Sequence, residues 1–402
     1  MTQATAIPAP RTVFAVTWIP VLAYGAVLTM PAFLAVLGKS YGLSSSELGS
    51  LASAEWFACI AGTYFANSRS IGELSRWVLW ACALAVGVNL AGVFLAGRVA
   101  LIYFHPLSTF GAGIAYGYAL KVFDASRQQQ RNYGIFLAVV NVSELVIFQL
   151  INYLTVAYSK AAVFIVYAAL AFGAVLVASA VRKPLGRLGG TAVGTASSVE
   201  TTLRRPRPIV LFSVVALGVS YAAFGMMWPF VQLMGVAHGL SPLEVTNGTS
   251  AYSITGIMGA LAAAVLPSRI NRSAVLSLAL VALFASVYML YVAPGSAWFL
   301  LGCAIFGFYW TFYCTSHVTL IAKADSTGRA IVFCGMAPSL GAIVGSFWGG
   351  RLIEGTNYLP TAEVGLALAV VGIAATLYAL AQKQPPDESG SLAAALRGHA
   401  EG

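Results

Sequence analysis

Residues 161–233 read AAVFIVYAALAFGAVLVASAVRKPLGRLGGTAVGTASSVETTLRRPRPIVLFSVVALGVSYAAFGMMWPFVQL, and this stretch decides the fold. Ala161 to Val181 and Ile209 to Leu233 contain no charged residue, whereas Arg182 to Pro208 between them is basic and rich in Gly, Ser and Thr. A membrane-spanning helix needs about 20 apolar residues. Each flank is long enough to cross a bilayer, and the middle reads as a flexible polar linker ending in Arg204-Arg205-Pro206-Arg207.

Working outward from the linker, the same alternation recurs along all 402 residues, of which 59% are hydrophobic and only 9% charged. The mean hydropathy is +0.82. Soluble domains are about one-quarter charged, so this chain lacks the polar side chains to cover a water-facing surface, and a soluble enzyme is excluded. Six spans are expected before the linker: Phe14 to Leu37, Leu48 to Phe65, Trp77 to Leu95, Val99 to Phe123, Tyr133 to Tyr153 and Ala161 to Val181. Six follow it: Ile209 to Leu233, Val245 to Leu266, Val275 to Val292, Trp298 to Ala322, Ile331 to Ile353 and Ala362 to Leu380. The fold class expected is an all-α polytopic membrane protein of 12 transmembrane helices in two six-helix bundles. The units are residues 1–181, a linker 182–208, residues 209–381 and a polar tail 382–402.

The net charge of +9 is a topology signal rather than a nucleic-acid footprint, because the basic residues fall between apolar segments. Eighteen Lys and Arg, including Arg69, Arg76, Lys121, Arg269 and Arg272, belong to one set of alternate loops, and only Lys39, Arg98, Lys160 and Arg351 to the other. Positive residues stay on the cytoplasmic side, which puts both termini and the linker there and the protein in a bacterial inner membrane. Arg11 precedes a long apolar run with no small-residue cleavage site after it, so no cleaved signal peptide is expected. The five cysteines lie in apolar segments without metal-ligand spacing, and neither linker nor tail holds a Gly-x-x-x-x-Gly-Lys-Ser/Thr loop. No cofactor, metal, disulfide or nucleotide-driven step is expected. A proton or solute gradient is left as the energy source.

The two halves show weak internal repetition. Phe110-Gly111 in span four matches Phe306-Gly307 in span ten, and at that offset Lys121 falls on His317. The loop between spans eight and nine runs from Ala264 to Arg272 with Arg269 and Arg272 spaced three apart; the loop after span two carries Gly62, Asn67, Arg69, Gly72 and Arg76. These features resemble the major facilitator superfamily, whose loop has the form Gly, three residues, Asp, Arg, one residue, Gly, Arg. Here Ser268 stands for the acid and Asn271 for the glycine, and the first-half copy is stretched. The resemblance implies a secondary transporter, usually monomeric, with spans one, four, seven and ten around a central cavity. It implies a gating role for Arg69, Arg76, Arg269 and Arg272, and cavity positions for Tyr24, Tyr116, Tyr221, Trp228, Gln232, Tyr309, Trp310 and Tyr313. Aromatic faces with a few hydroxyls suit a small, partly apolar organic molecule; they also suit plain helix packing.

Ionisable residues inside a membrane are expensive to retain, so they are functional candidates by default. Glu144 in span five is the first candidate proton carrier, with Glu55 in span two and His105 in span four beside it. Each has a plainer reading: Glu144 bonded to Asn141, Glu55 bonded between helices, and His105 serving carbonyls freed by Pro106. His317 and Lys121, facing a shared cavity, would favour a carboxylate; Lys121 is also placed to snorkel at a helix end. Span eleven carries Gly335, Pro338, Gly341, Gly345 and Gly349, a ladder for close helix approach. The function expected is proton-coupled uptake of a small organic solute by alternating access, with partners limited to solute, protons and lipid. Proton-driven efflux of hydrophobic compounds and a non-transporting sensor or scaffold are the rivals.

Overall fold

The computed structural model describes residues 8–94, 102–126, 129–159, 161–186, 208–265, 272–292, 295–324 and 330–381. Among them the chain is helical, with one isolated bridge between Glu354 and Asn357 in a turn. The helices are α1 Pro10–Ala23, α2 Gly25–Leu28, α3 Met30–Tyr41, α4 Ser45–Asn67, α5 Ile71–Phe94, α6 Pro106–Asp124, α7 Gln129–Ala157 and α8 Ala162–Gly186. After the linker come α9 Pro208–Met227, a 3-10 turn Trp228–Phe230, α10 Val231–Ala237, α11 Pro242–Val265, α12 Arg272–Tyr291, α13 Ser296–Ala324, α14 Ala330–Leu352 and α15 Leu359–Ala381. By length and composition six stretches could cross a membrane: Ile71–Phe94, Ile135–Ala157, Ala162–Arg182, Val210–Ala237, Ser296–His317 and Leu359–Ala379. Residues 187–207 of the expected linker, the tail from 382 and Arg269 lie outside the described residues, as does the side chain of Arg272.

Local sequence sets the helix ends. Ser44 caps α4 by accepting from the Glu47 N–H at 3.3 Å while the Glu47 carboxylate accepts from the Ser44 N–H at 2.7 Å. The same Ser-x-x-Glu box recurs at Ser70/Glu73 and Ser241/Glu244. The first expected span, Phe14 to Leu37, is not one continuous helix. It breaks at Tyr24 and at Thr29; at the second break Pro31 has no N–H for the ladder and its ring crowds the preceding turn. The Thr29 hydroxyl donates to Gly25 O at 2.8 Å beside its own N–H. The seventh span bends at Trp228–Phe230, around Pro229, where the sequence places a breaker.

Glycines set the closest approaches. In α14, Gly341 and Gly345 lie so near Gly218 and Ala222 of α9 that a Cβ at either would clash with backbone. Far apart in sequence, α4 meets α14: a Cβ on Gly49 would fall 2.5 Å from Ser346 O and 2.9 Å from Gly350 Cα. Ser53 Oγ seals the same contact by donating to Ile343 O at 2.8 Å. A second contact joins α7 to α11, with Gln149 Nε2 donating to Ser250 Oγ at 2.9 Å, and a third packs α3 on α10 through Gly38 and Leu233.

Candidate functional site

Glu55 of α4 and His105, the residue capping α6, are wholly enclosed, with 0% and 1% exposure. Glu55 Oε1 lies 2.5 Å from His105 Nδ1, and the Thr109 hydroxyl donates to Glu55 Oε2. The other imidazole nitrogen, Nε2, is 3.3 Å from Asn89 Oδ1 of α5. Asn89 Nδ2 in turn donates to Ala85 O at 2.8 Å and Ser108 Oγ at 2.9 Å. Phe33 of α3 and Phe164 of α8 close the imidazole from the side, at 4.6 and 6.0 Å between ring centroids. Beside them the Thr29 and Tyr167 hydroxyls meet at 2.8 Å, at the break between α2 and α3. The two proton-coupling candidates Glu55 and His105 thus form one pair.

Glu144 of α7 sits elsewhere, buried in the contact with α11, where Ser253 hydrogen-bonds its carboxyl. Asn141 packs against Gly256 and Gln149 against Ser250 in the same seam. The acid is therefore on the seam of α7 and α11, and Asn141 turns its own amide to Leu137 O at 2.8 Å.

The aromatic candidates divide in two. Tyr24 of the first span and Tyr116 of α6 lie 6.1 Å apart, both half-buried, and Tyr24 Oη is 2.7 Å from Cys59 Sγ. Tyr221 of α9 borders the same buried apolar cluster as Tyr24 and packs edge-on to Trp310 of α13 at 4.6 Å. Behind Tyr221 the rings of Trp310 and Phe224 stack at 4.3 Å, and Trp228 stacks on Tyr252 at 3.7 Å, with Phe306 beside both. Tyr309 and Tyr313 are fully enclosed; Tyr313 Oη bonds Ser220 Oγ at 2.8 Å. Gln232 Nε2 donates to Thr249 Oγ1 at 3.0 Å within its own group of helices.

The two cationic candidates are placed away from this face. His317 Nε2 is 2.7 Å from Thr376 Oγ1 of α15, Nδ1 is 3.2 Å from Tyr313 O, and the ring lies 4.2 Å from that of Tyr313. Lys121 Nζ donates to Asn67 O at 2.9 Å and Arg69 O at 2.5 Å, satisfying carbonyls at the end of α4. Arg69 spreads over Phe65 and Trp77, 4.6 and 5.6 Å from the ring centroids, and Arg76 is exposed. Asn89, Ser108, Thr109, Ser253, Phe224, Tyr252 and Phe306 join these clusters without having been singled out as ligands in the sequence. For Asn89 there is a signal, a lone amide inside an apolar run.

A wholly helical bundle of apolar spans enclosing an acid–imidazole pair and an aromatic face is the interior of a multi-pass membrane protein. The chain belongs to the Major Facilitator Superfamily, whose family model matches residues 18–346. Among solved structures it resembles the nucleoside transporter NupG at a TM-score of 0.74 and 13% identity, covering 93% of this chain and 99% of that one. It also resembles a bacterial homologue of the human lysosomal transporter Spinster, inward-facing and unoccupied (TM-score 0.68, 13% identity, 94% and 98% coverage). A proton-dependent oligopeptide transporter aligns at 0.65 with 13% identity over 92% and 96%. At these identities the likeness is one of fold. No curated protein matches the chain.

Proposed function

We propose that this transporter-family chain works as a proton-coupled secondary transporter for a small organic solute, taking it up by alternating access rather than by any bond-making chemistry. The observation that carries the reading is the Glu55–His105 pair: two titratable groups held together without solvent, next to the broken first span and the Tyr24/Tyr116 face. A proton entering from outside loads this pair, the solute seats among Tyr24, Tyr116, Tyr221 and Trp310, and both leave inside. Glu144, on the seam of α7 and α11, senses the same cycle through the fit of the two halves.

The topology proposed is twelve spans in two halves, 1–181 and 209–381, joined by the linker 182–208, with both termini in the cytoplasm of a bacterium. The eighteen-to-four split of basic residues between alternate loops supports it. With that topology the Gly49/Gly350 and Gly38/Leu233 contacts lie on the outer side, so the described conformation is closed toward the periplasm. The solute proposed is planar or partly apolar. A carboxylate is the second solute class proposed, since His317 and Lys121, the cations that would favour it, are hydrogen-bonded to Thr376 and to the Asn67 and Arg69 carbonyls.

The test is a thermal-shift screen of the purified protein at two pH values with nucleosides, short peptides, small carboxylates and lipophilic cations, followed by proton flux in proteoliposomes with the best ligand. Stabilisation by a planar neutral solute, with solute-driven alkalinisation outside, is expected. Stabilisation by lipophilic cations alone turns the reading to efflux, and absence of any solute-coupled proton movement with a bound ligand rejects proton coupling.

A further inference from the structure

We propose that Asn89 is a positioning residue that holds a proton on His105 Nε2 and thereby keeps the Glu55–His105 pair in its proton-loaded form; this rests on the reading of that pair as the coupling site. The argument is one of donors and acceptors. Ala85 O, 2.8 Å from the Asn89 amide, can only accept, so the group facing it is the NH2 and not the oxygen. The second N–H of that NH2 is used by Ser108 Oγ at 2.9 Å. The amide orientation is fixed, and Oδ1 is the atom turned toward His105 Nε2 at 3.3 Å. An amide oxygen only accepts, so Nε2 must carry a hydrogen.

With Nε2 committed, the exchangeable proton sits between Nδ1 and Glu55 Oε1, either as a protonated carboxyl donating to Nδ1 or as an imidazolium donating to a carboxylate. Both forms hold the same number of protons. Removing one leaves two poor choices: a carboxylate facing the Nδ1 lone pair, or a hydrogen moved to Nδ1 with the Nε2 lone pair facing Asn89 Oδ1. Either unmade contact in a buried site is costly. Without Asn89 the second choice no longer sets the Nε2 lone pair against an amide oxygen, and a carboxylate accepting from a neutral Nδ1–H becomes the better end state. Asn89 therefore opposes proton release. Glu55 Oε2 accepts from Thr109 in every form. Among the described residues, the titratable groups facing the pair from the elements around it are Cys59 on α4 and Tyr167 on α8; α3 presents Phe33.

The experiment is nitrogen-15 spectroscopy of histidine-labelled full-length protein in lipid bilayers, with His105 resonances assigned by loss in His105→Gln among the four histidines. In the wild type Nε2 is expected to be protonated while Nδ1 titrates. In Asn89→Leu the release midpoint is expected to fall by about one pH unit or more, with Nδ1–H appearing as the neutral form. Asn89→Asp, which keeps an oxygen facing Nε2, is expected to hold the wild-type midpoint or raise it. Asn89→Ala, which also removes the oxygen facing Nε2, is expected to shift the midpoint in the Asn89→Leu direction and serves if that variant does not fold. An unprotonated Nε2 in the loaded wild type, or a midpoint that falls equally in Asn89→Leu and Asn89→Asp, overturns the proposal. The spectrum needs no transport, so failure of the coupling reading shows separately, as proton-coupled flux that survives Glu55→Gln.

Discussion

Gly49 and Gly350 stand backbone against backbone where α4 crosses α14, each occupying the space a Cβ of the other would need. A valine at Gly49 must push α14 away, since the atoms in its path are the Ser346 carbonyl and the Gly350 backbone rather than flexible side chains. Gly49→Val is expected to leave a folded protein that cannot close on this side, with transport reduced at least about tenfold. Alkylation of a cysteine placed at Ser53 from the external side should rise in the same variant. Unchanged labelling and flux would mean that this contact is not part of the cycle.

Breaking the buried pair has a different signature. Glu55→Gln leaves His105 with an amide partner and is expected to abolish proton-coupled movement while solute exchange across equal pH persists. Thr109→Val removes one donor to the carboxyl and should cost about 1 kcal/mol of stability. Calorimetry in detergent together with exchange and coupled-flux assays separates these effects. Coupled flux at wild-type level in Glu55→Gln would remove the pair from the mechanism.

Glu144→Gln preserves size and a hydrogen-bonding partner for Ser253 while removing the titrating group from the α7/α11 seam. The expected result is a flattened dependence of transport rate on pH, with solute affinity altered by less than about threefold. A rate profile identical to wild type would leave Glu144 as a structural hydrogen-bonding residue.

Lys121 and His317 are expected to behave as framework. Lys121→Met should lower stability by about 1 kcal/mol through loss of two carbonyl contacts at the end of α4, and His317→Gln by a similar amount, neither changing KM. A large rise in KM for an anionic solute in either variant would restore the carboxylate reading.

Trp310 stacks on Phe224 and meets Tyr221, so Trp310→Ala opens the aromatic face itself. Affinity for a planar solute should drop by at least about tenfold, read from the ligand-induced thermal shift. A non-planar ligand should be affected less.

Much of the fold was legible in residues whose physics is local. Apolar runs of spanning length and the Gly341/Gly345 ladder each act within a helix or between two neighbours, and the Pro229 bend fell where a breaker residue stood. The break at Thr29 was not anticipated, because the run from Phe14 to Leu37 carries no charge to divide it and reads as one span despite Pro20 and Pro31. The site was half legible: the cost of an intramembrane charge marked Glu55, His105 and Glu144. Which acid met which partner depends on helix rotation, and four hydrophobic faces give no periodic signal when a helix is apolar all round. Asn89 is 34 residues from Glu55 by number and joins it only through His105, a relation that pairing of α5 with α6 creates.

The large stacked rings Phe224, Trp228, Tyr252, Phe306 and Trp310 all belong to α9, the turn after it, α11 and α13, while Glu55, Asn89, His105 and Thr109 all belong to α4, α5 and α6 or their caps. Under the proposed function the stacked rings and the acid–imidazole pair are thus encoded in separate stretches of one gene, with Tyr24 and Tyr116 the first stretch's share of the aromatic face. A substitution among the stacked rings leaves every side chain of the buried pair in place.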